Sequence, residues 1–198
     1  MFTGTSQTFI AIRSIQNGVV ELKGTGGKRS VLHVSSLNFA LKSNEEQNAI
    51  IFEYQNFLNS LDFSLQIAIT SRLANIEAYL ESLQKAFYLQ QNELLKIQTK
   101  EYINFINSFT IQNEIITTDF FVVVPLIVPK KGKKAKDYHS HYSYSAMMQR
   151  VNFVRSGLHR LGLRVKLLNT ESLIALYWSC YNNKDMKKQS LLRSIFEE

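Results

Sequence analysis

The feature that most constrains the fold is a change in hydrophobic period at Ser43. Before it, Thr8 to Ile15 and Val19 to Lys23 are β-branched or apolar runs that flank Asn17-Gly18. Asn-Gly favours the two-residue turn of a β-hairpin. Arg29 to Asn38 is another extended run, so the sequence predicts three strands in a meander ahead of Ser43.

Helical spacing begins at Ser43. Ser43 and Glu46 have the spacing of a capping box, in which a hydroxyl and a carboxylate satisfy free amide groups at a helix start. The apolar residues that follow fall on one helical face, and they are Ile50, Tyr54, Phe57, Leu58 and Leu61. The pattern predicts an amphipathic helix.

Strand and helix patterns then alternate. Phe63 to Thr70 alternates apolar and polar residues, which predicts a strand that buries one face. Asn75 to Thr117 is typical of two helices with a break between Leu89 and Glu93. Asp119 to Val128 is apolar at nearly every position, which indicates a strand covered on both faces near the middle of a sheet.

The remaining segments complete the predicted architecture. Met147 to Leu161 is helical, Leu163 to Leu168 is a short strand, and Thr170 to Tyr181 is a helix. This order favours an α+β (mixed α/β) fold, a single domain with one largely antiparallel sheet packed by helices. The predicted buried residues are Phe57, Phe63, Ile67, Val122, Val124 and Val154. We expect the domain to span residues 1–183, followed by a C-terminal amphipathic helix over 184–198.

Composition places limits on class and location. The chain has 198 residues, 45% of them apolar, which is enough for one core without disulfides or a structural metal. Its longest apolar run, Phe120 to Val128, is too short to cross a bilayer. Residues 1–7 lack the pattern of a signal peptide. We therefore expect a cytoplasmic protein without a membrane span.

The net charge of +7 comes from one segment. Ten Lys and Arg residues lie between Lys130 and Lys166, against a single acid, Asp137. We predict that residues 130–145 form a mobile basic loop, in which Tyr138, Tyr142 and Tyr144 are available to stack on bases. The candidate anion or nucleic-acid contacts are Lys130, Lys131, Lys133, Lys134, Lys136 and Arg150. Nucleic acid, anionic lipid, an acidic partner, or a loop that only aids solubility all remain open.

The sequence contains segments that partly match catalytic or metal-binding motifs, but none of them has the full pattern. The glycines of Gly24 to Ser30 suggest a phosphate loop, but Leu22 stands where the first glycine belongs and Arg29 where Ser or Thr must follow the lysine. His139 and His141 have no third metal ligand nearby in the sequence. No other motif supplies a nucleophile with its base. We expect no enzyme activity, no catalytic residues, no metal and no cofactor.

Three stretches carry a family resemblance. The first, from Val31 to Phe63, contains VLHVSSLNFALKS and YQNFLNSLDF; the second is LLKIQTKEY at 94–102; and the third is Arg150-Val151 followed by GLHRLGL at 157–163. Their order and spacing resemble the TraC-like domain, the N-terminal part of the conjugation ATPases of bacterial type IV secretion systems. The resemblance extends from about Phe9 to Tyr181, and it does not include the ATPase half with its phosphate loop.

The resemblance implies the assembly domain rather than the motor. It suggests a non-catalytic scaffold that docks to the secretion ATPase and to inner-membrane subunits, and that is peripheral at the inner face of the cell membrane. The candidate partner contact is the apolar face of the C-terminal helix, formed by Leu191, Leu192 and Ile195. Under this hypothesis DNA contact is weak. The alternative is a nucleic-acid-binding accessory protein of a mobile element that uses the basic segment 130–166.

Overall fold

A computed structural model describes residues 10–24, 27–73, 76–112, 116–127 and 136–181. The strands are β1 (Ile12–Gln16), β2 (Val19–Leu22), β3 (Lys28–Val34), β4 (Gln66–Leu73), β5 (Ile116–Leu126) and β6 (Val165–Leu167). The helices are α1 (Asn44–Asn59), α2 (Glu77–Leu89), α3 (Glu93–Gln112), α4 (Lys136–Arg160) and α5 (Thr170–Tyr181). The predicted α+β class with one mostly antiparallel sheet is confirmed.

The six strands form one sheet in the order β1-β2-β3-β5-β4, with β6 also paired to β3. β3 pairs with β5 along its whole length, from Lys28 opposite Leu126 to Val34 opposite Phe120. Antiparallel pairing also joins β3 to β2 near its start and to β6 near its end. The prediction of a central strand is therefore confirmed for residues 119–126, since β5 lies between β3 and β4; residue 128 lies outside the described residues.

The first hairpin follows from its turn residues. Asn17 and Gly18 have φ values of 51° and 70°, the left-handed conformation that a two-residue hairpin turn requires and that Asn and Gly tolerate best. The Gly18 amide donates to the Thr170 hydroxyl at 3.1 Å. A side chain at Gly18 would lie 3.0 Å from the Leu168 carbonyl oxygen. The turn therefore needs glycine both for its backbone conformation and for its fit against the start of α5.

The capping box also forms as predicted. The Glu46 amide donates to the Ser43 hydroxyl at 3.2 Å, and the Ser43 amide donates to the Glu46 carboxylate at 3.0 Å. The bond from the Ser43 amide, with Lys42 beside it, lowers the pKa of Glu46 below its usual value. α1 therefore begins at a position that local chemistry specifies.

The core lies between α4, α1 and the sheet. Met147, Val151, Val154 and Leu158 repeat at helical spacing on α4 and are buried. They join one cluster with residues of the central strands and of α1, which include Leu32, Val34, Val122, Val124 and Phe57. At Gly157 a Cβ atom would lie 2.3 Å from the Phe57 ring, so only glycine lets α1 and α4 approach this closely.

The described residues divide into two compact units, one with those up to 69 and those of 119–177, the other with those of 70–118 and 178–181. We call them the first and the second unit. All the fully buried apolar side chains of the described residues belong to the first unit. The predicted boundary between residues 183 and 184 lies outside the described residues.

Most of the predicted core is confirmed. Phe57, Val122, Val124 and Val154 are buried, and Phe63 is half-buried against the same cluster. The prediction for Ile67 is wrong, because its side chain is 57% exposed. β4 comes last in the strand order, and an alternating pattern identifies a strand without showing which of its faces the rest of the protein covers.

The prediction of a loop over 130–145 is wrong for its last ten residues, because α4 begins at Lys136. Residues 130–135 lie outside the described residues. Ser143 is buried one turn before Met147, and its hydroxyl accepts a hydrogen bond from the Lys28 ammonium at 2.8 Å. The buried face of α4 therefore begins before the first large apolar residue of that face. A prediction based on apolar spacing misses this start, because serine is not counted as an apolar residue.

Candidate functional site

Several predicted contact residues fall outside the described part of the chain. These are Lys130, Lys131, Lys133 and Lys134, together with Leu191, Leu192 and Ile195. Lys136 is the first residue of α4, but its side chain is not described. A role for these residues in binding stays a prediction.

Arg150 has structural partners. Its guanidinium lies over the Phe63 ring, 4.5 Å from the ring centroid, and donates to the Pro125 carbonyl oxygen at 2.7 Å. A planar cation can stack on a ring and donate in its plane at the same time. Arg150 thus links α4 to the end of β5 and to Phe63, and its predicted contact with nucleic acid stays untested.

The described part of the basic segment contains a long stretch without acidic residues. Residues 143–170 contain no Asp or Glu and carry five cations, which are Arg150, Arg155, Arg160, Arg164 and Lys166. Arg155, Arg160 and Arg164 are exposed, and none of the ion pairs formed among the described residues involves them. We call residues 143–170 the basic stretch.

A cavity of about 460 Å³ opens on this stretch, lined by Arg155, Ser156, His159 and Val165. The first three residues belong to the last turns of α4, and Val165 belongs to β6. Arg155 and His159 are four residues apart, so their side chains lie on the same helical face. We call this cavity the α4–β6 pocket. It presents three donor-bearing side chains beside one aliphatic wall.

One ionisable pair lies on the sheet. His33 Nε2 is 3.3 Å from Asp119 Oδ1, and both side chains are mostly buried. The His33 ring also packs against Phe121, with 5.3 Å between ring centroids. This contact connects β3 to β5, so the pair is explained by sheet packing.

The Gly24 to Ser30 segment also has a structural explanation. Lys28 begins β3, and its ammonium donates to Ser143 rather than pointing into a glycine-rich loop at a helix start. Gly27 has φ 71°, and a Cβ atom there would lie 2.4 Å from the Leu126 carbonyl oxygen. The glycine serves the close approach of two strands.

A second surface was missed by the sequence reasoning. α2 and α3 expose Tyr79, Tyr88, Leu89, Leu94, Leu95, Ile97, Tyr102, Phe105 and Phe109. We call this set the α2–α3 surface. The rings of Phe105 and Phe109 stack with 5.7 Å between centroids, and the hydroxyls of Tyr79 and Tyr102 lie 3.2 Å apart. The sequence did contain a sign of this surface. α3 has more large apolar residues than can lie on the one helical face where Ile103 and Ile106 are half-buried.

Comparison with known families identifies a match. A family model described as the archaeal TraC-like domain matches residues 13–137, more than half of the chain. No curated protein and no solved structure matches the chain. The family is described as archaeal, whereas the resemblance seen in the sequence was to bacterial systems. The match runs from the second residue of β1 through β5 and ends before the α4–β6 pocket.

The helices of the described residues give no sign of a membrane span. None of them combines the length and the apolar character that crossing a bilayer requires.

Proposed function

Because the chain belongs to the TraC-like domain family, which links it to conjugation and type IV secretion, we propose that it is a non-catalytic assembly component of such a system. In this proposal it docks to the transfer ATPase and to inner-membrane subunits at the cytoplasmic face. The resemblance to the assembly part of the conjugation ATPases supports this role.

The α2–α3 surface is the observation that carries the proposal. Phe105 is 58% exposed and stacks on Phe109, while Leu94 and Ile97 are exposed in the preceding turns of α3. Grouped exposed apolar side chains typically mark protein interaction sites. Aromatic residues supply much of the binding energy at such sites because each removes a large apolar area from water. We therefore place the ATPase contact on α3.

The test is capture of the transfer ATPase encoded with this chain. Purified wild type should retain the ATPase, and the double variant Phe105→Glu and Phe109→Glu should lose most of it, since two carboxylates would have to be buried at the contact. Leu41→Glu is the matched control, because Leu41 is also an exposed apolar residue but lies in the first unit. The control should bind as the wild type does.

Two further variants separate this docking site from the sites predicted by sequence. Replacing Lys130, Lys131, Lys133, Lys134 and Lys136 with alanine should leave ATPase capture unchanged. A truncation after Asn183 tests the face of Leu191, Leu192 and Ile195. Loss of capture by the truncation, with full capture by the Phe105 and Phe109 variant, would move the contact to the C-terminal segment. Failure of the wild type to capture the ATPase or an inner-membrane subunit would overturn the assembly role.

The second candidate function is nucleic-acid binding by the basic segment. The exposed arginines of the basic stretch favour it, because none of them pairs with an acid among the described residues. Binding through phosphate contacts should weaken with salt, with log K falling by about 0.7 to 0.9 per contact for each unit of log salt. Tight DNA binding with such a slope, lost in the five-lysine variant and accompanied by no captured protein, would favour this function over assembly.

A further inference from the structure

We propose that the α4–β6 pocket binds a phosphate group, as a phosphomonoester or phosphodiester whose attached group rests against Val165. The proposal goes beyond the assembly role, because the pocket lies outside the residues matched by the family model. It concerns a ligand-binding site, not a reaction.

The donors are arranged for an oxyanion. The Arg155 guanidinium carries paired N–H groups that match two oxygens of a phosphate in parallel. Ser156 adds a hydroxyl, and His159 adds a ring N–H from one turn further along the same face. Arg155, Ser156 and His159 make no hydrogen bond with other described side chains, so their N–H and O–H groups can donate to the oxygens of a bound phosphate.

The local charge favours an anion. The basic stretch holds no carboxylate, so nothing within it competes for Arg155. The C-terminal end of α4 opposes an anion, because the last carbonyls of a helix carry partial negative charge. Two of these carbonyls already accept hydrogen bonds, Leu158 from the Leu161 amide and His159 from the Gly162 amide. Arg164, next in sequence to the lining residue Val165, carries a full positive charge, which is larger than the partial negative charge of about half a unit at the helix end.

The lining favours a single phosphate over a nucleic-acid strand. The cavity of about 460 Å³ is larger than one phosphate and leaves room for a small attached group. The lining residues among those that the structure describes include no aromatic ring, whereas single-stranded nucleic acid is usually held by bases stacked on aromatic side chains. A phosphate of a lipid headgroup and a free phosphate present the same chemistry to the pocket.

The experiment uses the full chain and inorganic phosphate as the probe. Titration followed by nuclear magnetic resonance should give saturable shifts at the Ser156 amide and the His159 ring. Arg155→Gln and His159→Gln should each weaken phosphate binding, the former by about tenfold or more, as expected for loss of a charge-assisted contact. Arg160→Gln is the matched control, with the same charge change on the same helix outside the lining, and it should bind within about twofold of wild type.

Sedimentation with vesicles identifies the source of the phosphate. Binding to vesicles containing phosphatidic acid, lost in Arg155→Gln and retained in Arg160→Gln, identifies a lipid headgroup. Binding of inorganic phosphate without any vesicle binding identifies a soluble ligand. Equal loss in Arg155→Gln and Arg160→Gln, unchanged phosphate binding in both lining variants, or displacement of phosphate by single-stranded DNA would overturn the proposal. These outcomes are independent of ATPase capture, and matched melting curves confirm that the exposed substitutions leave the fold intact.

Discussion

α4 and α3 are long helices with many large apolar residues, yet they use them differently. α4 buries Met147, Val151, Val154 and Leu158 in the core of the first unit. α3 has no fully buried residue among its described side chains, and it exposes Phe105 and Phe109. Apolar content alone therefore does not distinguish a helix that holds a fold together from one that presents a surface.

The difference has an energetic meaning. Each apolar side chain buried on α4 contributes about 1.5 to 3 kcal/mol relative to an exposed one. The exposed side chains of α3 contribute far less to folding. Their apolar surface is still in contact with water, so burying it against a partner can stabilise a complex. Regions with few buried contacts also open more readily than the core. Substitutions on the two helices should therefore separate folding from binding.

The largest expected effect is in the central strand. Val124 is fully buried, so Val124→Asp should prevent folding, because an unpaired carboxylate in the core costs at least about 4 kcal/mol. Phe105→Asp on α3 is the matched control and should stay soluble, with a cooperative thermal transition by circular dichroism. A folded, cooperatively melting Val124→Asp variant would refute the packing described for β5.

The next effect is at the contact of α1 with α4. Gly157→Ala gains up to about 1 kcal/mol of helix propensity but forces the new methyl into the Phe57 ring, where overpacking costs about 1 to 3 kcal/mol. The cost of the clash should exceed the gain in helix propensity, so urea denaturation should show a free energy of unfolding lower by about 1 kcal/mol. Ser156→Ala, its exposed neighbour, should change stability by less than about 0.5 kcal/mol.

A double-mutant cycle sharpens this result. If the ring is the obstacle, Phe57→Leu should make Gly157→Ala harmless or stabilising, although Phe57→Leu itself weakens the core. Equal effects of Gly157→Ala in both backgrounds would show that the Phe57 contact is not the cause.

Local chemistry made part of this fold predictable. The Asn17-Gly18 turn, the Ser43 capping box and the valine-rich β5 depend on residues close in sequence, and each forms where the pattern indicated. Ile67 was misassigned because the covered face of a strand depends on distant segments. The start of α4 was misplaced because Ser143 is buried through its bond to Lys28, 115 residues away.

The candidate sites were less predictable than the fold. The positive charge of segment 130–166 was evident, but the sequence could not show that Arg150 stacks on Phe63 while Arg155 and His159 line a cavity. The spacing of four between Arg155 and His159 was visible, yet the wall supplied by Val165 depends on the placement of β6. The α2–α3 surface was missed because a helical pattern was taken to imply a buried face.

A smaller effect is expected at the start of α1. Ser43→Ala removes the cap and should cost about 1 kcal/mol, measured by urea denaturation. Glu46 has a lowered pKa in the folded protein, so its ionised form stabilises the fold above its unfolded value of about 4.5. That contribution should disappear as pH falls below this value through the lowered folded pKa.

Glu46→Gln isolates the charge, because glutamine can still accept the bond from the Ser43 amide but does not titrate there. The difference in unfolding free energy between wild type and Glu46→Gln should shrink as pH falls below about 4.5. A constant difference across that range would show that the carboxylate charge does not contribute at this cap.

The smallest expected effect tests whether α2 and α3 pack as described. The hydrogen bond that the Tyr79 hydroxyl donates to Tyr102, followed by desolvation and charge repulsion, raises the pKa of Tyr79 above its ordinary value of 10.0. The stabilisation linked to this shift is present below that value and is lost as pH rises through the higher folded pKa. Tyr102→Phe should return the Tyr79 titration, followed by phenolate absorbance, toward 10.0, while the free energy of unfolding changes little because both tyrosines are exposed. Tyr88→Phe on the same helix as Tyr79 should leave that titration unchanged. If the Tyr79 pKa is the same in wild type and in Tyr102→Phe, the two helices do not hold these hydroxyls in contact. The packing of α2 against α3 described for the α2–α3 surface would then be wrong.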